Sequence, residues 1–170
     1  MKIIGIIVVG IVFLICFYYI GKLNGIFFAV DNLQDNRRKE LRLDFFCCAR
    51  NYNKENQLNM EQFFINRGYR NILIYGLGKY YYDFINDFDI LDFDHIYLGD
   101  RFGSEKMNEL GEKVYSMDEI EKQNILSKID VIVITSISNF IPIQNELKGI
   151  GAGCDILSYE DLVYNLRREY

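Results

Sequence analysis

Gly76 and Gly78, inside the stretch NILIYGLGKYYYDFI from Asn71 to Ile85, have the residue type and spacing from which chemistry is most directly read. Two glycines between an apolar run and a helix permit a tight turn and a close backbone approach. The N–H groups that open the helix at Lys79 could then face a phosphate. Asp100 lies twenty-two positions after Gly78, near the roughly 20-residue offset at which an acid at the tip of the second strand holds ribose hydroxyls. Arg101 follows at once, and the two residues either serve a nucleotide or form a solvated loop pair. Thr135 and Ser136 end the run DVIVITS and should emerge beside the glycine turn, at the edge where open α/β sheets bind ligands. The candidate nucleotide site is therefore Gly76, Gly78, Lys79, Asp100, Arg101, Thr135 and Ser136. The third glycine of a GxGxxG pattern falls at Tyr81, so the match to a dinucleotide fingerprint is partial.

Other reactive residue types point to less. His95 is the only histidine and has no acid or nucleophile beside it in sequence, which favours a structural role. Asp83, Asp87, Asp89, Asp92 and Asp94 form an acidic run. Divalent cations need convergent ligands and not density alone, so the run reads as a solvated loop and no metal is expected. Cys47 and Cys48 are neighbours and Cys16 and Cys154 stand apart, which provides neither a disulfide framework nor a CxxC pair. The neighbouring pair is either acylated near a membrane or two small apolar residues on a helix face.

Positioning the candidate site requires a layered sheet. Ile72 to Tyr75, four apolar or aromatic residues bounded by a glycine, fit a central parallel strand, and Lys79 to Asn86 fit a helix that turns Tyr80, Tyr81 and Phe84 toward it. His95 to Leu98 form the second strand, Lys113 to Tyr115 an edge strand, and Asp130 to Thr135 a strand buried on both faces. A capping box, Ser116 with Glu119, opens a helix to about Ser127. Pro142 suits the first turn of a helix to Lys148, the glycines at 149, 151 and 153 return the chain to a last strand, Cys154 to Leu157, and Ser158 caps a final helix over 159–168. Ahead of the first strand, Asn59 with Gln62 caps a helix from Met60 to Asn66 that stops at Gly68. The expected fold is α/β, a five-stranded parallel sheet in the order 3-2-1-4-5.

The front of the chain is different. Ile3 to Ile20 are eighteen residues without a charge, and at about 1.5 Å per residue they span roughly 27 Å, close to the thickness of a hydrocarbon core. Lys2 and Lys22 bracket the run, Tyr18 and Tyr19 suit an interfacial belt, and no small-x-small cleavage site follows. A retained, single-pass transmembrane helix is expected. Lys22, Arg37, Arg38 and Lys39 on its C-terminal side, against Lys2 alone on the other, place the rest of the chain in the cytoplasm. Residues 21–36 have no clear period and read as a connection. From Arg37 to Tyr52, the helical spacing of Leu41, Phe45, Cys48 and Tyr52 describes an amphipathic helix, covered either by the following domain, by a second copy, or by another membrane protein. The resulting organisation is an anchor at 1–21, a juxtamembrane segment at 22–58 and the α/β domain at 59–170. The formal charge is −5 over 170 residues, and the part beyond Lys2 carries 18 of the 19 basic residues against 24 acids, a balance that argues against nucleic-acid partners.

Taken together, IYGLGKYYYDFI, HIYLGD, GEKVYSMDEI, DVIVITS and ILSYEDLVYNL resemble the small Rossmann-like domains of bacterial surface-polysaccharide biosynthesis proteins, relatives of nucleoside-diphosphate-sugar epimerases and dehydratases. The resemblance runs from about Tyr69 to Leu166. It implies a membrane-tethered module that holds NAD(P), a nucleotide or a nucleotide sugar, with a membrane or glycan-assembly protein as partner. It also implies an alternative, an NAD-dependent sugar-modifying enzyme. Epimerases of that wider family use a Tyr-xxx-Lys pair. Here the spacing occurs as Tyr18–Lys22 at the membrane edge and Tyr75–Lys79 across the glycine turn, neither placed to act as a base, so the module is expected to lack its own catalytic apparatus or to bind a protein instead.

Overall fold

The computed structural model describes residues 2–58, 60–87, 93–103 and 112–169, with side chains described between residues 17 and 166. The chain divides into two units, Met1–Phe45 and Phe46–Tyr170. The first is helical throughout and is part of α1 (Lys2–Glu55). Residues 21–36, expected as an aperiodic connection, are helical too. No proline falls before Pro142, and Gly21 and Gly25 keep ordinary helical backbone, so nothing local interrupts the hydrogen-bond ladder. Among the described residues no helix is long and apolar enough to cross a membrane. Most of the apolar run Ile3–Ile20 lies outside the residues whose side chains are described.

The second unit holds a five-stranded, all-parallel sheet in the order β3-β2-β1-β4-β5, which is the expected topology. β1 (Asn71–Tyr75) is central, flanked by β2 (His95–Gly99) and β4 (Val131–Ile134), while β3 (Val114–Tyr115) and β5 (Asp155–Ser158) form the edges. Alternation along β1 and β4 supplies two cores. Ile72, Ile74, Val131 and Val133 face one, with α2 (Met60–Arg67), α3 (Lys79–Asp87) and α6 (Tyr159–Glu169). Leu73, Tyr75, Ile132 and Ile134 face the other, with α4 (Met117–Lys122) and α5 (Phe140–Gly149). Both strands are therefore apolar without interruption, as a doubly covered parallel strand must be.

Local signals explain most element ends. α2 stops in a Schellman motif: Gly68, with φ 71°, donates to the Ile65 carbonyl at 2.9 Å and Tyr69 to that of Phe64 at 3.2 Å. The expected cap of α2, Asn59, lies outside the described residues. The capping box at α4 is present, with Glu119 N–H on Ser116 Oγ at 3.3 Å and Ser116 N–H on Glu119 Oε2 at 2.9 Å. α4 is shorter than expected, because Asn124 adopts the left-handed region (φ 49°) and the chain continues as a separate 3-10 turn, Ile125–Lys128, that buries Ile125. Ser158 Oγ accepts from Glu160 N–H at 3.2 Å and so caps α6 as expected.

The rotation of the last turns of α1 overturns one of the expected covers of the apolar stripe, the following domain, and leaves a second copy or another membrane protein as the open alternatives. Leu41, Phe45, Cys48 and Tyr52, the expected packing stripe, are all exposed, Phe45 at 67 %. Within the second unit Phe46 (0 %), Ala49 and Asn53 are buried instead. Phe46 packs edge-on against Tyr80 and Tyr159, with ring centroids 5.7 and 5.2 Å apart. Electrostatics decides this choice. Asp87, with a side chain 6 % exposed, receives two bonds from Arg50, an ion pair from Lys54 at 2.6 Å and the Tyr159 hydroxyl at 2.7 Å, and Arg50 also reaches Asp83 at 2.9 Å. A helix turned to bury Cys48 and Tyr52 would carry Arg50 and Lys54 away from that carboxylate. Asp83 and Asp87 are thus the core of an ion network rather than part of a solvated loop. Asp94 is exposed, and Asp89 and Asp92 lie outside the described residues.

Burial alone would raise the Asp87 pKa, yet the bonds from Arg50, Lys54 and Tyr159 outweigh it and hold the carboxyl below its ordinary value. Asp87→Ala should cost about 3 kcal/mol in chemical denaturation, since it leaves Arg50 facing a void. A carboxylate with a depressed native pKa stabilises above its unfolded pKa of ~3.9 and loses that effect as pH falls through its native value. The stability gap between the wild-type chain and Asp87→Asn should accordingly be constant from neutral pH to about pH 5 and close below about pH 4. A gap that does not change down to pH 2 would show that the carboxylate's charge contributes nothing.

Candidate functional site

Three parallel strands, β1, β2 and β4, end at one edge, and their terminal residues are tied to one another before any ligand is considered. Gly76, at φ 99°, turns the chain out of β1 while its N–H donates to the Gly99 carbonyl at 2.8 Å. A Cβ at Gly76 would lie 3.2 Å from Ser136 Cβ and 3.3 Å from Thr135 Oγ1, so the turn and the end of β4 are in direct apposition. Thr135 is fully buried. Its N–H bonds to the Tyr75 carbonyl at 3.0 Å and its hydroxyl donates to that of Gly76, so it is a stitch between strand ends rather than a group presented to solvent.

The acid at the tip of β2 behaves unexpectedly. Asp100 is 7 % exposed and its Oδ2 accepts the Leu77 N–H at 2.7 Å, while Oδ1 accepts from Phe102 N–H at 3.3 Å. Leu77 sits between the two glycines, so this amide of the turn is occupied by an internal carboxylate, one residue ahead of Gly78 and of the N–H groups that open the helix at Lys79. The stabilising physics is the same, an anion on a turn amide close to a helix start, with the anion drawn from the chain itself. Gly78 and Lys79 are exposed. A Cβ at Gly78 would meet nothing within 4 Å, and the Lys79 ammonium lies 5.8 Å from the centroid of the Tyr80 ring. Tyr81, at the position of the missing glycine, is buried in the core beneath the sheet with Phe84 and does not obstruct the edge.

Beside this edge, on the α4 and α5 side, lies a crevice of about 600 Å³ lined by Tyr75, Gly76, Asp100, Arg101, Ser116, Met117, Asp118, Ser136, Asn139, Pro142, Ile143 and Glu146. Of the seven residues singled out from sequence, Gly76, Asp100, Arg101 and Ser136 line it; Gly78, Lys79 and Thr135 do not. Asp118, Asn139 and Glu146 were not legible as site residues, because they belong to helices whose other positions look like ordinary solvated faces. Two glycines were also undervalued. A Cβ at Gly99 would fall 2.6 Å from Tyr75 Cδ2, and one at Gly103 would fall 2.7 Å from Ser116 Cβ. Their absent side chains let the Tyr75 ring and the Ser116 cap approach the edge.

Among the described residues the crevice carries three carboxylates, Asp100, Asp118 and Glu146, against one guanidinium, Arg101. Tyr75 registers this field: burial first, then Glu146 and Asp100, push its phenol up to about 12, with Arg101 opposing them. A phenol so placed keeps its proton at neutral pH and can donate a hydrogen bond but not serve as a base. Ser116 is committed to its capping box. The arrangement can hold a polar, hydroxyl-bearing ligand. His95 stands at the opposite end of β2, its Nδ1 3.1 Å from Asn71 Oδ1 and its ring stacked on Tyr97, away from this edge. Among the described residues there is no group of three or more His, Cys, Asp or Glu side chains arranged to hold a metal ion. Compared with family models, with curated proteins and with solved structures, the chain matches none.

The two glycines of the turn should respond oppositely to a methyl group. Gly76→Ala, strained by its positive φ and by contact with Ser136, should lose about 1–3 kcal/mol. Gly78→Ala, in open space with ordinary backbone, should be neutral or gain a few tenths to about 1 kcal/mol by stiffening the unfolded chain. Thermal unfolding of the two variants side by side measures the difference, and equal losses would mean that the turn is not held as described.

Proposed function

We propose that this chain is a membrane-tethered, Rossmann-like module that binds a nucleotide or nucleotide sugar without transforming it, in the context of bacterial surface-polysaccharide biosynthesis. The observation that supports it best is the crevice at the carboxyl ends of β1, β2 and β4, where open α/β sheets take ligands and where Gly76, Asp100, Arg101 and Ser136 line one cavity. A volume of about 600 Å³ is in the range of small-molecule sites. In this reading Arg101 provides the cation for a diphosphate, and Asp100, Ser136 and Asn139 accept and donate to sugar hydroxyls. Binding without turnover is supported by the residues described at the edge, where Tyr75 keeps its proton and the Thr135 hydroxyl is bonded to the Gly76 carbonyl. The tether is the charge-free run Ile3–Ile20, with Lys22, Arg37, Arg38 and Lys39 holding the domain on the cytoplasmic side. A protein adaptor is the second reading, favoured by one observation: Asp100 already satisfies the Leu77 amide that a dinucleotide would use.

Thermal unfolding of the full chain in detergent with NAD, UDP and UDP-glucose separates these readings. A hundredfold excess over Kd should add about 2.7 kcal/mol of stability with UDP-glucose, and Arg101→Ala should weaken that binding about tenfold. No stabilisation by any of the three leaves the adaptor, and conversion of UDP-glucose in the presence of NAD would make the chain an enzyme. Alkaline washing of membranes should leave the chain in the pellet, with residues 46–170 cleaved by protease only after the cytoplasmic face is opened to it.

A further inference from the structure

We infer that the crevice selects the sugar end of its ligand by charge, preferring a sugar that carries a free amine over its neutral counterpart and rejecting one that carries a carboxylate. This rests on the reading of the crevice as a nucleotide-sugar site and names which sugars it would take. Three features converge from different elements. Asp100 comes from the tip of β2, Asp118 from the first turn of α4 and Glu146 from α5, and all three line one cavity in which Arg101 is the only cation among the described residues. Asp100 is buried and held by the Leu77 and Phe102 amides, so it is a fixed charge that cannot swing out of the way. The Leu77 amide at this turn is already taken, so a phosphate placed against it would have to compete with the Asp100 carboxylate.

The ligand therefore lies with its diphosphate at the Arg101 rim and its sugar inward, among the carboxylates. There a protonated amine replaces a hydroxyl with a charge-assisted donor, whereas a carboxylate meets like charge across a partly desolvated space. Tyr75 can donate to a ring or hydroxyl oxygen from the cavity wall, since burial first, and then Glu146 and Asp100, keep its phenol protonated. Because Asp118 and Glu146 are exposed, each pairing is screened, and the expected preference is modest.

The test is calorimetric titration of the full chain in detergent at about pH 6.5, where an amine is charged, with UDP-glucosamine, UDP-glucose, UDP-N-acetylglucosamine and UDP-glucuronic acid. UDP-glucosamine should bind about fivefold to tenfold tighter than UDP-glucose, UDP-N-acetylglucosamine should resemble UDP-glucose, and UDP-glucuronic acid should be weakest. Glu146→Gln and Asp118→Asn should each reduce the ratio of the first two affinities within the same variant. Asp94→Asn, an equal change of net charge on an exposed residue at the far edge, should leave that ratio as it was. Equal affinity for all four sugars, or an equal loss of preference in Asp94→Asn, would overturn the charge selection while leaving the binding reading intact. No binding of any of the four would overturn both.

Discussion

β1 can exist only between two partners. Ile72, Leu73 and Ile74 are fully buried on a strand with an apolar layer on each face, and every backbone group of such a strand must be paired because no water reaches it. β2 and β4 supply the pairing in parallel register, Ile74 opposite Leu98 on one side and opposite Val133 on the other. The remainder of the second unit follows. Parallel neighbours demand crossovers, crossovers place helices on both faces, and the three strands must end together at one edge. Asp130 performs the matching task at the opposite end, accepting from the Arg70 and Asn71 N–H groups at 2.9 and 2.8 Å and joining the start of β1 to the approach to β4.

At the carboxyl edge the same constraint creates the site and limits it. Orphan amides at the exit of β1 need an acceptor, and the tip of β2 brings Asp100 within reach because Gly99 yields its side-chain space to the Tyr75 ring. The Gly76 and Leu77 amides are thereby satisfied without a ligand. Beside the turn lies the crevice, which Gly76 also lines and where carboxylates outnumber cations among the described residues. In the proposed reading, three carboxylates beside one guanidinium would favour hydroxyl and amine donors over a second phosphate.

The opposite end of α3 is held by a different device. Asp83 and Asp87 draw Arg50 and Lys54 onto the domain, and Tyr159 adds a hydroxyl whose own pKa is raised by burial and by that carboxylate. Because α3 begins immediately after the glycine turn, the helix that leaves this turn is fixed at its far end by the last turns of α1. Buried charges of this kind stabilise only while each partner is present, which makes the network a register lock more than a source of stability.

The order and direction of the strands were legible in the sequence, because an unbroken apolar run reports burial on both faces and turn glycines, capping boxes and alternation with helices report connectivity. So were the glycine turn and the edge it occupies. The rotation of α1, the partners of Asp83 and Asp87, and the loss of the Leu77 amide to Asp100 were not, since each depends on residues 23 to 110 positions apart that meet only once the sheet is assembled. Helical spacing marked Leu41, Phe45, Cys48 and Tyr52 as apolar, but which stripe is buried is decided by where the carboxylates of another helix stand. Local sequence thus determined the strands, the turn and its position at the sheet edge. Tertiary structure alone decided which groups the turn had left to offer, because satisfying buried amides and charges is a property of the assembled layers and not of any one segment.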